Sequence, residues 1–135
     1  MVWGQTADSN RCLAKYFCML VAIGGKYSAP TQQEREKNLA ILRALAAQVQ
    51  QLGHSICIGL DFALPAVDGK SFLKEEDRYA EIMRISLEKI LECDAFLLAS
   101  ESRGALMEKD AMEAAGKPIY FSVDMIPDNN TLDLE

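Results

Sequence analysis

A chain of 135 residues, half of them apolar and a quarter charged, is one ordinary globular domain, long enough to build a core without disulfide or metal staples. Its formal charge of −6 argues against a nucleic-acid polymer or an anionic membrane as partner, because both recruit cations. Cys12, Cys18, Cys57 and Cys93 are scattered without a Cys-x-x-Cys pair and His54 is the one histidine, which argues against a disulfide framework and against a zinc site.

Residues 1–10 show no period, and residues 1–15 are expected to be a flexible leading segment. The apolar run at residues 17–23 is too short to span a bilayer and reads as the first strand, closing on Gly24 and Gly25. No basic stretch with an apolar core and a small-residue cleavage site precedes it, so a cytoplasmic location is expected. Thr31 and Glu34 have the spacing of a capping box, with Pro30 just before. The helix that follows carries Leu39, Leu42, Leu45, Ala46, Val49 and Leu52 on one face and stops at Gly53. Residues 55–58 form a second strand, and residues 59–74 read as a long loop, a length that suggests a lid or binding loop. A second helix over residues 75–91 turns Tyr79, Ile82, Met83, Leu87, Ile90 and Leu91 inward. The run at residues 95–99 is a buried strand, followed by a polar turn at residues 100–103 and a helix over residues 104–115, stopped by Gly116 and Pro118. Residues 119–123 make the last strand, and residues 124–135 an acidic, loose tail.

Strands alternating with helices imply parallel pairing. The expected architecture is therefore α/β, a flavodoxin- or Rossmann-like three-layer sandwich with four or five parallel strands, occupying residues 16–123 as a single domain. In such sheets ligands bind beyond the carboxyl ends of the strands. Ser102, Gly104 and Glu108 follow the third strand and Gly25 and Tyr27 the first, so one cavity should hold Glu108, Tyr27 and Ser102 together.

The string from Asp94 and Ala95 through Ser102, Arg103, Gly104 and Ala105 to Glu108, with Gly116, Lys117 and Pro118 one helix later, resembles the nucleoside 2-deoxyribosyltransferase superfamily. Gly24, Gly25, Lys26, Tyr27, Ser28, Ala29 and Pro30 are similar to the loop after that family's first strand, and the likeness covers residues 18–123. The resemblance implies cleavage of, or deoxyribosyl transfer at, the N-glycosidic bond of a nucleoside or nucleoside 5′-monophosphate. It implies Glu108 as the nucleophile, no metal or organic cofactor, and a homodimer or higher homo-oligomer whose neighbouring subunit completes the site.

Each residue has a plainer reading beside this one. A carboxylate at Glu108 can capture an oxocarbenium-like anomeric carbon, yet a Glu in the first turn of a helix is also favoured by the macrodipole. Ser102 stands where the resemblance puts Asp in the nucleoside transferases and Ser in the nucleotide hydrolases. A hydroxyl donates to a phosphate that an Asp would repel, yet Ser102 also suits a helix N-cap. Arg103 can grip a phosphate in bidentate fashion or pair with a neighbouring acid. Tyr27 can border the base or sugar, or cover the sheet edge. Gly24 and Gly25 allow close approach of a ligand, and the N–H groups of Arg103 and Gly104 stand beside Ser102 to hold a phosphate.

The hydrolase branch of the family places an Asp where this chain has Ser86, so an acid for the leaving group must come from elsewhere. Asp61, Asp77 and Glu81 are available, each also readable as solvated surface charge, while Asp94 orients the start of a strand. The apolar segment at residues 62–67 is a candidate contact for self-association, unless it folds back on its own domain. The rival readings are a nucleotide-binding module without catalysis and a scaffold protein that keeps the fold.

Overall fold

A computed structural model describes residues 18–72 and 74–130. The elements in chain order are β1 (Leu20–Gly24), α1 (Gln32–Gln51), β2 (Ser55–Cys57), α2 (Leu60–Asp68), α3 (Glu75–Ile90), β3 (Ala95–Leu98), α4 (Arg103–Ala114) and β4 (Ile119–Tyr120). A 3₁₀ turn at Val123–Met125 follows. The four strands are all parallel, in the order β2-β1-β3-β4. Val21 pairs with Ile56 on one side and with Ala95 on the other. Asp94 sets that register. Its backbone N–H donates to the Leu20 carbonyl, and its Oδ2 accepts from the Leu20 N–H, each at 2.8 Å.

Helices cover both faces of the sheet. On one face, Leu42, Ala46 and Val49 of α1 pack on Val21, Ile23, Ala95 and Leu97. On the other, Ala22, Phe96 and Leu98 meet Ile90 of α3 and Ala105 and Met112 of α4. Alternate residues of β1 and β3 thus serve opposite layers, and every residue of β3 is buried, as a parallel strand covered on both faces requires. Thr31 caps α1 as its spacing with Glu34 predicts. Its Oγ1 accepts from the Glu34 N–H at 3.1 Å and donates to Glu34 Oε1 at 3.0 Å.

The structure corrects the sequence expectation in three places. Residues 59–74 are not one long loop, because α2 occupies Leu60–Asp68. Ala63 and Val67 of α2 bury against Ile82 of α3 with Leu64 packed beside them, so one side of the apolar segment at residues 62–67 folds back on its own domain while Phe62, Pro65 and Ala66 stay exposed. Phe62 stays 47% exposed, beneath Lys89 Nζ at 4.9 Å from its ring.

The last strand is shorter than residues 119–123, ending at Tyr120. Residues 124–130 are also not a loose tail. Ile126 is 4% exposed in the core under α1. His54 Nδ1 accepts from the Met19 N–H at 3.1 Å, while Nε2 donates to the Pro127 carbonyl at 2.7 Å. The Asn129 N–H donates to the Leu52 carbonyl at 2.7 Å. One apolar side chain and these hydrogen bonds outweigh the segment's polar composition. The flexible segment expected at residues 1–15 lies outside the described residues, as does Phe17. No helix among the described residues is long and apolar enough to cross a membrane.

Candidate functional site

Beyond the carboxyl ends of β1 and β3 the chain opens into a cleft of about 1280 Å³. This is where the strand order turns from β2 to β3 around β1, the position at which open α/β sheets bind ligands. The two loops that leave these strands are tied together. The Ala99 N–H donates to the Gly24 carbonyl at 2.8 Å and the Lys26 N–H donates to Ser100 Oγ at 2.9 Å. The β1 loop is further braced on α1, where Asn38 Nδ2 donates to the Tyr27 carbonyl at 3.0 Å and Arg35 donates to the Ala29 carbonyl at 2.7 Å. Gly25 is hemmed in: a Cβ there would lie 2.8 Å from Leu42 Cδ2 and 3.0 Å from Ser100 Oγ. The wall of the cleft is therefore largely preformed.

Glu108 borders this cleft and is 8% exposed. It lies on the second turn of α4, whose first turn contains no acid, so the macrodipole does not account for a carboxylate at this depth. Ser86 Oγ donates to Glu108 Oε2 at 2.6 Å. Oε1 accepts no hydrogen bond among the described residues and lies against Gly24 at the end of β1. Burial pushes the Glu108 carboxyl up to about 7, against the opposing pull of the Ser86 hydroxyl. The result is one buried carboxylate bordering the cavity, with one oxygen held by Ser86 and the other without a hydrogen bond among the described residues.

Ser102 performs its capping role, with Oγ accepting from the Ala105 N–H at 3.1 Å. Its own O–H is left to donate into the cleft, which Ser102 also lines. The amides of Arg103 and Gly104 precede the first intrahelical donor of α4, the Leu106 N–H that bonds to the Ser102 carbonyl, as at any helix start. Capping and anion binding are therefore compatible at this turn. Gly104 also has a packing role, because a Cβ there would sit 3.2 Å from Met83 Sδ and 3.4 Å from Tyr79 Oη. Tyr27 is half-buried on the same cleft.

Arg103 borders the cleft but is engaged. Its guanidinium pairs with Glu76 at 2.9 Å and stacks 4.4 Å above the Tyr79 ring, with side chains 66% and 67% exposed across the ion pair. A phosphate would have to compete with that carboxylate.

The alternative acids are elsewhere. Asp61 pairs with Arg43 at 2.8 Å and does not line the cleft. Glu81 accepts from Arg84 and from Lys70, whose hydrogen bonds hold its carboxyl down to about 2. Asp77 is exposed in the first turn of α3, outside the lining. Of the sequence candidates, Glu108, Ser102, Gly104, Gly25, Tyr27 and Arg103 converge on the cleft, and Asp61 does not.

The sequence marked Ser86 only as a departure from the resembled family's Asp, not as a partner of Glu108, and it gave no role to Gly59. Ser86 falls at a core position of α3, in step with Ile82, Met83 and Ile90, and a hydroxyl in such a stripe is a signal for a buried partner. Gly59, between β2 and α2, provides the space that Ser86 fills. No family model, curated protein or solved structure matches this chain.

Proposed function

We propose that the protein binds a nucleoside 5′-monophosphate in the cleft and cleaves, or transfers at, its N-glycosidic bond, with Glu108 as nucleophile. The observation that carries this reading is the buried Glu108 carboxylate on the cleft wall, with one oxygen held by Ser86 and the other without a hydrogen bond among the described residues. Oε1 attacks the anomeric carbon as the bond to the base nitrogen breaks, and the bonding electrons leave with the base. Water, or the N–H of a second base in a transferase, then attacks the glycosyl ester and restores the carboxylate, and the proton it gives up neutralises the departed base anion. Ser102 O–H and the first amides of α4 supply the phosphate grip, and Tyr27 borders the base or sugar. The likeness of the Ser102-to-Glu108 string to the deoxyribosyltransferases supports the same chemistry.

A panel of nucleosides and their monophosphates, with released base followed chromatographically, tests the reading. Monophosphates should react well ahead of nucleosides, since losing hydrogen bonds to a charged phosphate costs on the order of 2 kcal/mol. Glu108→Ala should abolish base release and retain nucleotide binding. Equal rates on nucleosides and monophosphates would remove the phosphate assignment.

A second reading, a nucleotide-binding module without catalysis, is favoured by one observation: Glu108 has a serine, not an acid, for its partner. Binding without base release from any substrate would establish it. The proposal includes a cytoplasmic protein, in keeping with free thiols at Cys18, Cys57 and Cys93. It also includes a homo-oligomer, because a second copy would narrow a cleft wider than the ~300–1,000 Å³ of most ligand pockets. Light scattering that returns a monomer at high concentration would exclude the oligomer.

A further inference from the structure

We propose that Ser86 is a positioning residue that selects Oε1 of Glu108 as the reacting oxygen, in a pocket cleared for the pair by Gly24 and Gly59. This deepens the reading of Glu108 as nucleophile and rests on it. Ser86 is 1% exposed, and a hydroxyl at that depth must find a hydrogen-bond partner. Its side-chain partner among the described residues is Glu108 Oε2, at 2.6 Å, the length of a charge-assisted bond.

The two glycines are explained by space rather than by backbone freedom. Gly59 has φ −56, a value open to any residue, and Gly24 is not among the positive-φ glycines. A Cβ on Gly59 would collide with Ser86 Oγ, and a Cβ on Gly24 would collide with Glu108 Oε1 and approach Phe96 Cζ to 2.6 Å. One glycine thus ends β1 and the other follows β2, and each makes room for one member of the pair.

Glu108 is faced by Ser86 from α3, Gly24 from β1 and Phe96 from β3. No charged neighbour among the described residues perturbs it. An unrestrained carboxylate could present either oxygen to a substrate. With Oε2 tied to Ser86, Oε1 is the carboxylate oxygen left without a hydrogen bond among the described residues.

The test uses the full chain carrying Ser86→Ala, Ser86→Thr or Gly59→Ala. The Glu108 carboxyl is titrated by ¹³C NMR, its signal assigned by loss in Glu108→Gln, and kcat and KM for a nucleoside monophosphate are measured from pH 6 to 9. Ser86 opposes the effect of burial, so Ser86→Ala should move the Glu108 midpoint upward and lower kcat about 10-fold at pH 7, with KM unchanged. Part of that loss should persist at pH 9, where Glu108 is ionised in both proteins and only its orientation differs. Ser86→Thr keeps the hydroxyl and should restore both readouts, whereas Gly59→Ala should reproduce the upward midpoint by displacing Ser86.

An unmoved midpoint in Ser86→Ala with turnover intact would overturn the role of Ser86 alone. Complete recovery of kcat at pH 9 would overturn the selection of one oxygen. A wild-type chain that releases no base overturns the reaction itself, and the selection of a reacting oxygen with it.

Discussion

A carboxyl group as deeply buried as Glu108 loses most of its hydration, so its charged form burdens the folded state. Its proton is held more tightly in the folded chain, up to about 7, than at the ordinary value of 4.5. The stabilisation from Glu108 is therefore complete below about pH 4.5 and is lost as pH rises through about 7. That gap corresponds to ~3 kcal/mol. Glu108→Gln never acquires the charge and keeps an oxygen to accept from Ser86. It should match wild type in urea unfolding at pH 4 and exceed it by ~3 kcal/mol at pH 8. Equal stability of the two at pH 8 would show that Glu108 is hydrated after all. On the proposed reaction, base release should follow the opposite course, rising with pH through about 7 as Glu108 ionises. Ser102→Asp should keep the helix cap, because Asp caps as well as Ser, while its charge repels a phosphate. The preference for monophosphates over nucleosides should then fall by tenfold or more, and an unchanged ratio would move the phosphate away from α4. At this scale Glu108 and Ser102 were legible in the sequence, because they belong to one contiguous string. Ser86 lies 22 positions from Glu108, and only the packing of α3 on α4 reveals that they touch.

Among the elements, those with a clean period were the most legible. The inner face of α1 follows the spacing of Leu42, Ala46 and Val49, and the buried run of β3 reads directly as a strand. The helix α2 was hidden by Pro65 at its centre and by the glycines that flank it, Gly59 and Gly69. An interior proline costs a helix about 3 kcal/mol, and burial of Ala63 and Val67 against α3 offsets it, a contact that local sequence does not display. Strand ends carry the site, so they also carry its most sensitive backbone. Gly24→Ala should displace Glu108 and Phe96, lower stability by about 1–3 kcal/mol and cut turnover. Gly69→Ala is the matched control, with φ −90 and nothing within 4 Å of the added methyl. It should be neutral or slightly stabilising. Comparable destabilisation by the two substitutions in thermal unfolding would refute the claim that Gly24 is kept for space.

Across the whole molecule the sheet has two unlike ends. The carboxyl ends of β1 and β3 open into the cleft, while the start of β1 and the end of α1 are closed by residues 124–130. That closure was illegible because the segment's composition is acidic and polar. Its hold depends on Ile126 reaching the core, on His54 bridging Met19 to Pro127, and on Asn129 meeting the free carbonyl of Leu52. Separate ends should respond separately to mutation. Ile126→Ala removes a buried side chain from beneath α1, a change that typically costs 2–5, here about 3 kcal/mol. For a domain of this size that is roughly 10 °C in Tm and a large share of the 5–15 kcal/mol that keeps domains folded, on the order of a third. Because the lost contact lies away from Glu108, Ser86 and Ser102, kcat and nucleotide binding at 20 °C should stay within about twofold of wild type. The contrasting substitution, Ser86→Ala, should depress kcat with the smaller loss of stability. Calorimetry and initial rates on the two variants decide it: a loss of turnover in Ile126→Ala while the protein remains folded would mean that the closing segment and the cleft are coupled through α1, and the two ends would then have to be treated as one cooperative unit.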